Sequence, residues 1–535
     1  MSKYVYGIDL GTTYSCIAYQ DETGRPVVVQ NREGTNTTPS VVQFIEDSNE
    51  VIVGQIAKDT SVLYAKNTIS LIKTKMGRET KVYYGANADK EITPVEVSAC
   101  ILRKICKDAG ELLDDQVKDV VITCPAYFGE AERMATKQAG IVAGLNVISI
   151  LDEPTAAAIY YGCSKESEKK NVLVYDLGGG TFDVTVMNID GGDINVICTD
   201  GNHDLGGKDW DAVIMRYVAE QFEQQSGYSG DYDDEAKQDL AIKVERAKIQ
   251  LSSRDRTTIM LHIQGYKAAV ELTRDKFDEL TKPLLDTSMD LTDQVMFTAK
   301  EYGYGHIDEF LLVGGSTKMP QVPRAIEERL HLQPKIMEPD EAVAKGAAIY
   351  AIVKCMADAR SFHEESSDNI NTEIEVVDYL PSVSIEPKRS QRVVIHTKTS
   401  KSFGIKAMRD GNLIISNLIL KNTSTPCTVK KVFGIAEDDQ EYANIEVYES
   451  SVLKGSYPVE ESYKVGNAIL ELPRNLRMGS GVEITMELTN EGTLKLTGRE
   501  LSSNREIQAS FQSECILTEE KVMELKRKMM YLTIE

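Results

Sequence analysis

No basic cluster offsets the charge of this chain. Its 535 residues carry 83 Asp and Glu against 60 Lys and Arg, a formal net charge of −23. Nucleic-acid backbones and anionic membranes are poor partners for such a surface, because both reward exposed cations. No long uninterrupted apolar run occurs, so a membrane-spanning helix is not expected. The nine cysteines lie far apart with no Cys-x-x-Cys pair, which disfavours a zinc site or a secreted disulfide framework and points to reduced core thiols. The N-terminus runs into a strand instead of a signal peptide, and a cytoplasmic protein is the expectation. Neither a Walker A loop nor Gly-x-Gly-x-x-Gly is present, so P-loop and Rossmann nucleotide sites are disfavoured.

What the chain does contain is a glycine-rich loop met twice. Val172-Leu173-Val174-Tyr175 is a buried-type strand that enters Asp176-Leu177-Gly178-Gly179-Gly180-Thr181-Phe182-Asp183. Glycines let main-chain N–H groups approach an anion and tolerate positive φ, and Thr181 adds a hydroxyl donor. Carboxylates beside a polyphosphate repel it unless a hard cation lies between them, so Asp176 and Asp183 imply Mg2+. Tyr6-Gly7-Ile8-Asp9-Leu10-Gly11-Thr12-Thr13 repeats the device at the N-terminus. Two such loops suggest two facing halves around one nucleotide.

With 42% hydrophobic residues over this length, several domains with ample cores are expected. Residues 1–356 alternate strand-like and helix-like patterns, as α/β layers do. Helices are predicted over 96–109, 131–143 and 239–252. On the last, Leu240, Val244, Ala247 and Leu251 form an apolar stripe, while Glu245, Lys248 and Ser252 share another face. Residues 357–391 lose sustained periodicity and contain Pro381 and Pro387, which reads as a linker. Residues 392–515 show short apolar alternations between turn signals, an antiparallel β-domain. In 516–535, Thr518 can cap a helix whose stripe is Val522, Leu525, Met529 and Leu532.

Both loops, with Ile122-Thr123-Cys124-Pro125-Ala126-Tyr127-Phe128, Asp152-Glu153-Pro154-Thr155, Leu312-Val313-Gly314-Gly315-Ser316-Thr317 and Glu338-Pro339-Asp340-Glu341, occur in an order that resembles the seventy-kilodalton heat-shock chaperone family. The resemblance is specific over about the first 355 residues and continues more weakly to about 515. It implies an actin-like, two-lobed ATPase with ribonuclease H-like halves, then an all-β peptide-binding sandwich and one short lid helix. It implies ATP or ADP with Mg2+ as cofactors, and K+ as a further candidate. Gly11, Thr12, Thr13, Gly178, Gly179, Gly180 and Thr181 would hold phosphates. Asp9 and Asp176 would hold Mg2+ through its water. Lys73 matches the family's catalytic lysine, and Glu153 and Asp183 its second pair of carboxylates. Glu245, Lys248 and Ser252, with Gly314, Gly315, Ser316, Lys318 and Asp340, match the residues around the nucleoside. Pro125 and Arg133 match the interlobe relay.

The same resemblance gives a peptide cleft from Ile405, Ala407, Phe433, Gln440, Ala443 and Ile445, with Met408 and Ala436 as an arch over it. The partners implied are unfolded or extended peptides, with a J-domain co-chaperone and a nucleotide-exchange factor. Several positions depart from the pattern. Ala443 enlarges the pocket floor; Ile249 and Lys318 replace arginines that sandwich adenine; Thr74 follows the lysine; Ser149 replaces a basic residue near the co-chaperone surface. Val377-Asp378-Tyr379-Leu380-Pro381 keeps only the first positions of the linker motif, and its proline cannot donate to a sheet edge. These changes put co-chaperone coupling in doubt, and the shortened lid predicts rapid peptide exchange. Other readings are an actin-fold metabolite kinase, a filament-forming ATPase, or a holdase or exchange relative with vestigial hydrolysis.

Overall fold

The computed structural model describes residues 2–78, 80–85, 90–163, 169–190, 192–366, 394–489, 493–502, 505–509 and 517–535. Two sheets dominate it and share one topology. The first runs in the order Asn146–Asp152, Asp119–Cys124, Tyr6–Asp9, Tyr14–Gln20, Pro26–Val28. The second runs Pro334–Ile336, Glu309–Val313, Lys170–Leu177, Phe182–Asp190, Asp193–Asn202. In both, the first strand in sequence is central, its hairpin partner lies antiparallel on one side, and two later strands lie parallel on the other. The two glycine loops are therefore the equivalent first hairpin of each lobe, lobe I being built on the first sheet and lobe II on the second. Periodicity alone indicated α/β layers; the duplicated strand order supplies the two facing halves.

Two helices stand between the sheets. Glu153–Cys163 and Ala342–Ser366 pack so closely that a Cβ on Gly346 would lie 1.8 Å from the Ala156 carbonyl. The second helix also crosses the lobe I sheet at Gly7, where a Cβ would meet the Ala348 nitrogen at 2.1 Å. These approaches tie the lobes together at their base and leave a cleft above. The predicted helices are present as Pro94–Leu113, Glu130–Val142 and Asp234–Leu251.

The C-terminal part holds two packed antiparallel sheets. One contains Asn412–Ile419, Ser402–Arg409, Tyr442–Ser450 and Tyr463–Glu471; the other contains Cys427–Gly434, Gly481–Leu488, Leu494–Glu500 and Arg505–Ala509. Inward residues such as Ile405, Val447, Ile484 and Met486 fill the space between them, as the alternating pattern requires.

Three sequence expectations are corrected. Residues 357–391 do not all form linker, because the helix Ala342–Ser366 continues through their first part. Neither glycine nor proline interrupts residues 357–366. The proposed linker motif Val377–Pro381 lies outside the described residues. The β-domain does not begin at 392: Val394–His396 instead joins the second lobe as a parallel sixth strand, with Val394 opposite Asp193. An unpaired sheet edge offers main-chain donors and acceptors to any extended apolar segment, and this one lacks proline.

The third correction concerns the tail. The helix Glu519–Met530 is capped by Thr518 as expected, yet it does not cover the sandwich. Val522, Leu525 and Met529 enter the hydrophobic core of lobe I, together with Ile534. Thr533–Ile534 adds a parallel strand to Glu50–Val53. The Lys107 ammonium donates to the Ile534 carbonyl at 2.8 Å, and Gln138 Nε2 donates to the Leu517 carbonyl at 2.7 Å. The apolar stripe was read correctly, but a stripe does not name the surface that covers it. Burying each such side chain contributes about 1.5–3 kcal/mol before chain ordering is charged against it.

Candidate functional site

A cavity of about 720 Å³ opens between the lobes. Its base is set by contact between the two glycine loops. A Cβ on Gly179 would lie 1.8 Å from Thr13 Oγ1, and one on Gly180 would lie 2.6 Å from the Thr12 methyl. Neither glycine has positive φ, so close approach, and not left-handed backbone, is what demands glycine here. The triple-glycine loop is held from behind: Gly207 N–H donates to the Gly178 carbonyl at 3.0 Å, Lys208 N–H to the Gly179 carbonyl at 2.8 Å, and the Ser316 hydroxyl to the Gly178 carbonyl at 2.9 Å. Asp9, Gly11, Thr12, Thr13, Asp176, Gly178, Gly179 and Thr181 all line the cavity. Gly180 and Asp183 sit just behind it, Asp183 accepting the Tyr127 main-chain N–H at 2.8 Å.

Lys73 enters from the other side. It occupies a short helical turn, Ile72–Lys75, and is 4% exposed. Its ammonium donates to Glu153. Burial works against the charged lysine, but Glu153 and Asp9 outweigh it and hold the ammonium above the ordinary lysine value. The carboxylates are short of positive charge. Burial, then Glu153, pushes Asp9 up to about 7; the same two causes push Asp183 up to about 8. Burial with Glu153, Asp183 and Asp9 drives Asp176 well above the ordinary range. One lysine among four acids leaves a strong attraction for a further cation. Among the described residues no three His, Cys, Asp or Glu side chains converge as direct metal ligands. Mg2+ fits such a donor set with its own water between ion and carboxylate, since it dehydrates reluctantly.

The residues expected around a nucleoside also line this cavity. Glu245, Lys248 and Ser252 line it together, as their shared helical face predicts, with Gly314, Gly315, Ser316, Lys318 and Asp340 opposite. Sequence reasoning missed their partners. Lys58 of lobe I pairs with Glu245 of lobe II at 2.7 Å, closing a bridge across the cleft. Lys248 pairs with Asp211 at 2.7 Å and donates to the Gly207 carbonyl at 3.0 Å. Asp211 lies on the helix Gly207–Ser226, and the Gly206-Gly207 pair that opens it was a usable signal for Asp211; no sequence signal links Lys58 to Glu245. Lys318 pairs with Asp340, and Ile249 is exposed on the wall.

A family model described as Hsp70 protein matches residues 5–376. The chain belongs to the Hsp70 family. It is similar to the chaperone protein DnaK of Thermotoga neapolitana, with 38% identity over 514 residues, covering 94% of this chain and 79% of that protein. The DnaK chaperones of Thermotoga maritima and Thermosipho melanesiensis are each 37% identical with the same coverages. As an Hsp70 this protein is an ATP-dependent molecular chaperone and an ATPase, of a family that binds ATP or ADP with Mg2+, unfolded polypeptides and co-chaperones.

On the Hsp70 sandwich, the expected peptide residues divide into two sets. Ile405 and Ile445 are buried in the core between the two sheets. Ala407, Phe433 and Ala443 are half-buried, while Met408 and Ala436 are exposed. Exposed Leu413, Tyr442 and Ile469 add apolar surface that sequence reasoning did not name. Gln440 shapes the arch loop: its Oε1 accepts the Ala436 N–H at 3.0 Å and its Nε2 donates to the Tyr442 carbonyl at 2.7 Å. Ser149 is buried in the strand Asn146–Asp152, so it presents no side chain to a co-chaperone.

The sandwich is seated on the nucleotide lobes. Lys421 pairs with Asp200 at 2.9 Å, the Ser400 hydroxyl lies 3.4 Å from the Phe128 carbonyl it donates to, and Lys401 stands 3.4 Å above the Tyr127 ring. Arg133 pairs with Asp152 at 2.5 Å and donates to the Phe128 and Ala126 carbonyls. Tyr127 thus touches Asp183 with its main chain and the sandwich with its ring.

Proposed function

We propose that ATP is hydrolysed in the interlobe cleft, and that the nucleotide state sets how tightly the sandwich holds extended apolar peptide. The observation that carries the residue assignment is the contact of Thr12 and Thr13 with Gly180 and Gly179, at the cavity that the Lys73–Glu153 pair also lines.

In this reading Gly11, Thr12, Thr13, Gly178, Gly179, Gly180 and Thr181 bind the phosphates through N–H and hydroxyl donors. Asp9 and Asp176 hold the hydrated Mg2+, which when bound neutralises charge on the phosphates. Lys73 positions the attacking water and stabilises developing charge; Glu153 fixes the lysine, and Asp183 shares its buried acidity. Glu153 and Asp183 are also where a K+ would be attracted. Glu245, Lys248, Ser252, Gly314, Gly315, Ser316, Lys318 and Asp340 hold the nucleoside. The nucleotide-binding unit runs to Ser366 and borrows Val394–His396; the sandwich follows, and 517–535 is fastened to lobe I. The Asp183–Tyr127–Lys401 contacts, with Arg133 and Pro125 beside them, carry the cleft's state to the sandwich. Ala443 leaves a roomy peptide pocket beside Phe433, Ala407 and Met408, with Gln440 and Ala436 shaping its arch. A J-domain co-chaperone and a nucleotide-exchange factor are the proposed partners, in the cytoplasm, where the reduced buried thiols of Cys16, Cys100, Cys106, Cys124 and Cys198 are stable.

A small-metabolite kinase would leave the sandwich and its seating without a role. The deciding experiment is ATP turnover with and without an unfolded apolar peptide, alongside peptide release on ATP addition. Stimulated turnover and accelerated release are expected; a chain showing neither would remove the coupling.

A further inference from the structure

Where the sandwich meets lobe I, three glutamates come together. Glu130 and Glu132 open the lobe I helix Glu130–Val142, and Glu449 comes from the sandwich strand Tyr442–Ser450. The Glu449 carboxylate lies against Gly129 so closely that a Cβ there would sit 2.5 and 2.6 Å from its oxygens. Glu130 Oε1 accepts the Leu494 N–H of the sandwich at 2.9 Å. The Oε2 atoms of Glu130 and Glu449 are sealed from solvent and have no hydrogen-bond partner. Two cations face this group: Lys401, which is 8% exposed, and Arg78 toward Glu132.

An ionised carboxylate oxygen sealed without a donor is costly, whereas a protonated one is far less so. The cost exists only while the sandwich is seated, because leaving would return each group to water. We propose that seating of the sandwich on lobe I is proton-linked: Glu130 and Glu449 take up protons as the sandwich docks and release them as it leaves, so acid favours the docked form.

The charges agree with the geometry. Burial pushes Glu130 up to about 8 and Glu449 up to about 7, with Glu132 raised as well; Lys401 opposes the shift at Glu449 and Glu132. His203, its ring tilted against those of Tyr127 and Phe128, is no rival sensor. Burial, with Lys401 and Arg78 beside it, lowers it to about 4, so it stays neutral across the relevant range. Tyr457, which also faces Glu449, is raised and stays protonated there. With released-state glutamates near their ordinary value, docking is strongest below about 4.5. It weakens as pH rises through 7 and 8, then levels off.

The test uses the full chain with fluorophores on the outer face of the sandwich and on lobe II, following energy transfer from pH 6 to 8.5. For the parent, the ratio of docked to released forms is expected to fall on the order of tenfold or more. In Glu130→Gln/Glu449→Gln, which keeps shape and removes charge, most of that fall should vanish. The single variants serve if the double variant folds poorly, each removing part of the slope. A parent with no pH dependence, or glutamine variants with the parental slope, would overturn the proposal. ATP turnover is no part of the readout, so loss of the chaperone coupling and loss of this linkage are separable.

Discussion

The nucleotide cleft and the seat of the sandwich are both built from carboxylates gathered around one lysine. In the cleft, Asp9, Glu153, Asp176 and Asp183 surround Lys73; at the seat, Glu132 and Glu449 face Lys401, and Glu130 lies beside Glu449. Asp9, Asp176 and Asp183 in the one, and Glu130, Glu132 and Glu449 in the other, bind protons more tightly than free carboxylates do. They differ in access. The cleft opens onto a 720 Å³ cavity, so a hydrated divalent ion can settle the imbalance of charge. The seat is closed by main chain on both sides, with unpartnered oxygens inside it, so only protons can. The same electrostatics thus yields a metal-dependent site in one place and a proton-dependent contact in the other.

The strongest test of the comparison is Lys73→Ala. Removing the cation set among the four buried carboxylates should lower ATP turnover by about 10²–10³, as loss of a preorganised charge at a reacting centre does. Nucleotide binding, measured by fluorescence titration, should change far less. Since Lys73 lowers the proton affinity of Asp9, Asp176 and Asp183, residual turnover should also need higher pH. Parental turnover in this variant would show that the lysine is not catalytic and that the two clusters are not alike.

Lys401→Met makes the equivalent cut at the seat. It removes the cation above the Tyr127 ring and leaves buried carboxylates without their main partner, a loss of about 3 kcal/mol in docking when they are ionised. The effect should be large at pH 8.5 and small at pH 6, where the glutamates carry their own protons. Basal ATP turnover should hold. A loss of docking that does not depend on pH would mean that Lys401 acts through packing over Tyr127 and not through charge.

How much of this could be read from sequence follows the same divide. The cleft was legible because its parts are local: strand, Asp, glycines and hydroxyl occur within eight residues, twice. The face Glu245, Lys248, Ser252 was legible because helical spacing fixes which side chains share a side. The seat was not. Glu449 and Glu130 belong to separate patterns, and neither is unusual within its own strand or helix. The tail shows the limit most plainly, for Val522, Leu525 and Met529 gave the correct stripe while lobe I, hundreds of residues away, gave it a surface. Val394–His396 is too short to assert a strand until the free edge of Asp193–Asn202 is seen beside it.

The smallest expected effect is also the cleanest probe of the seat. Gly129 precedes the helix Glu130–Val142 with φ −76 and ψ −176, an extended conformation any residue adopts, so Gly129→Ala introduces no backbone strain. Its Cβ would press on the Glu449 carboxylate, whose own carbon lies 2.9 Å away. Overfilling of that kind costs about 1 kcal/mol where a neighbouring side chain can yield, a few-fold loss of docking by energy transfer. The thermal unfolding midpoint of the nucleotide lobes should not move, because nothing within lobe I is crowded. If Glu449 is pushed toward water to make room, its ionisation is relieved, and the pH dependence of docking should flatten along with the affinity. Weaker docking with an unchanged pH slope would place the proton on Glu130 and not on Glu449.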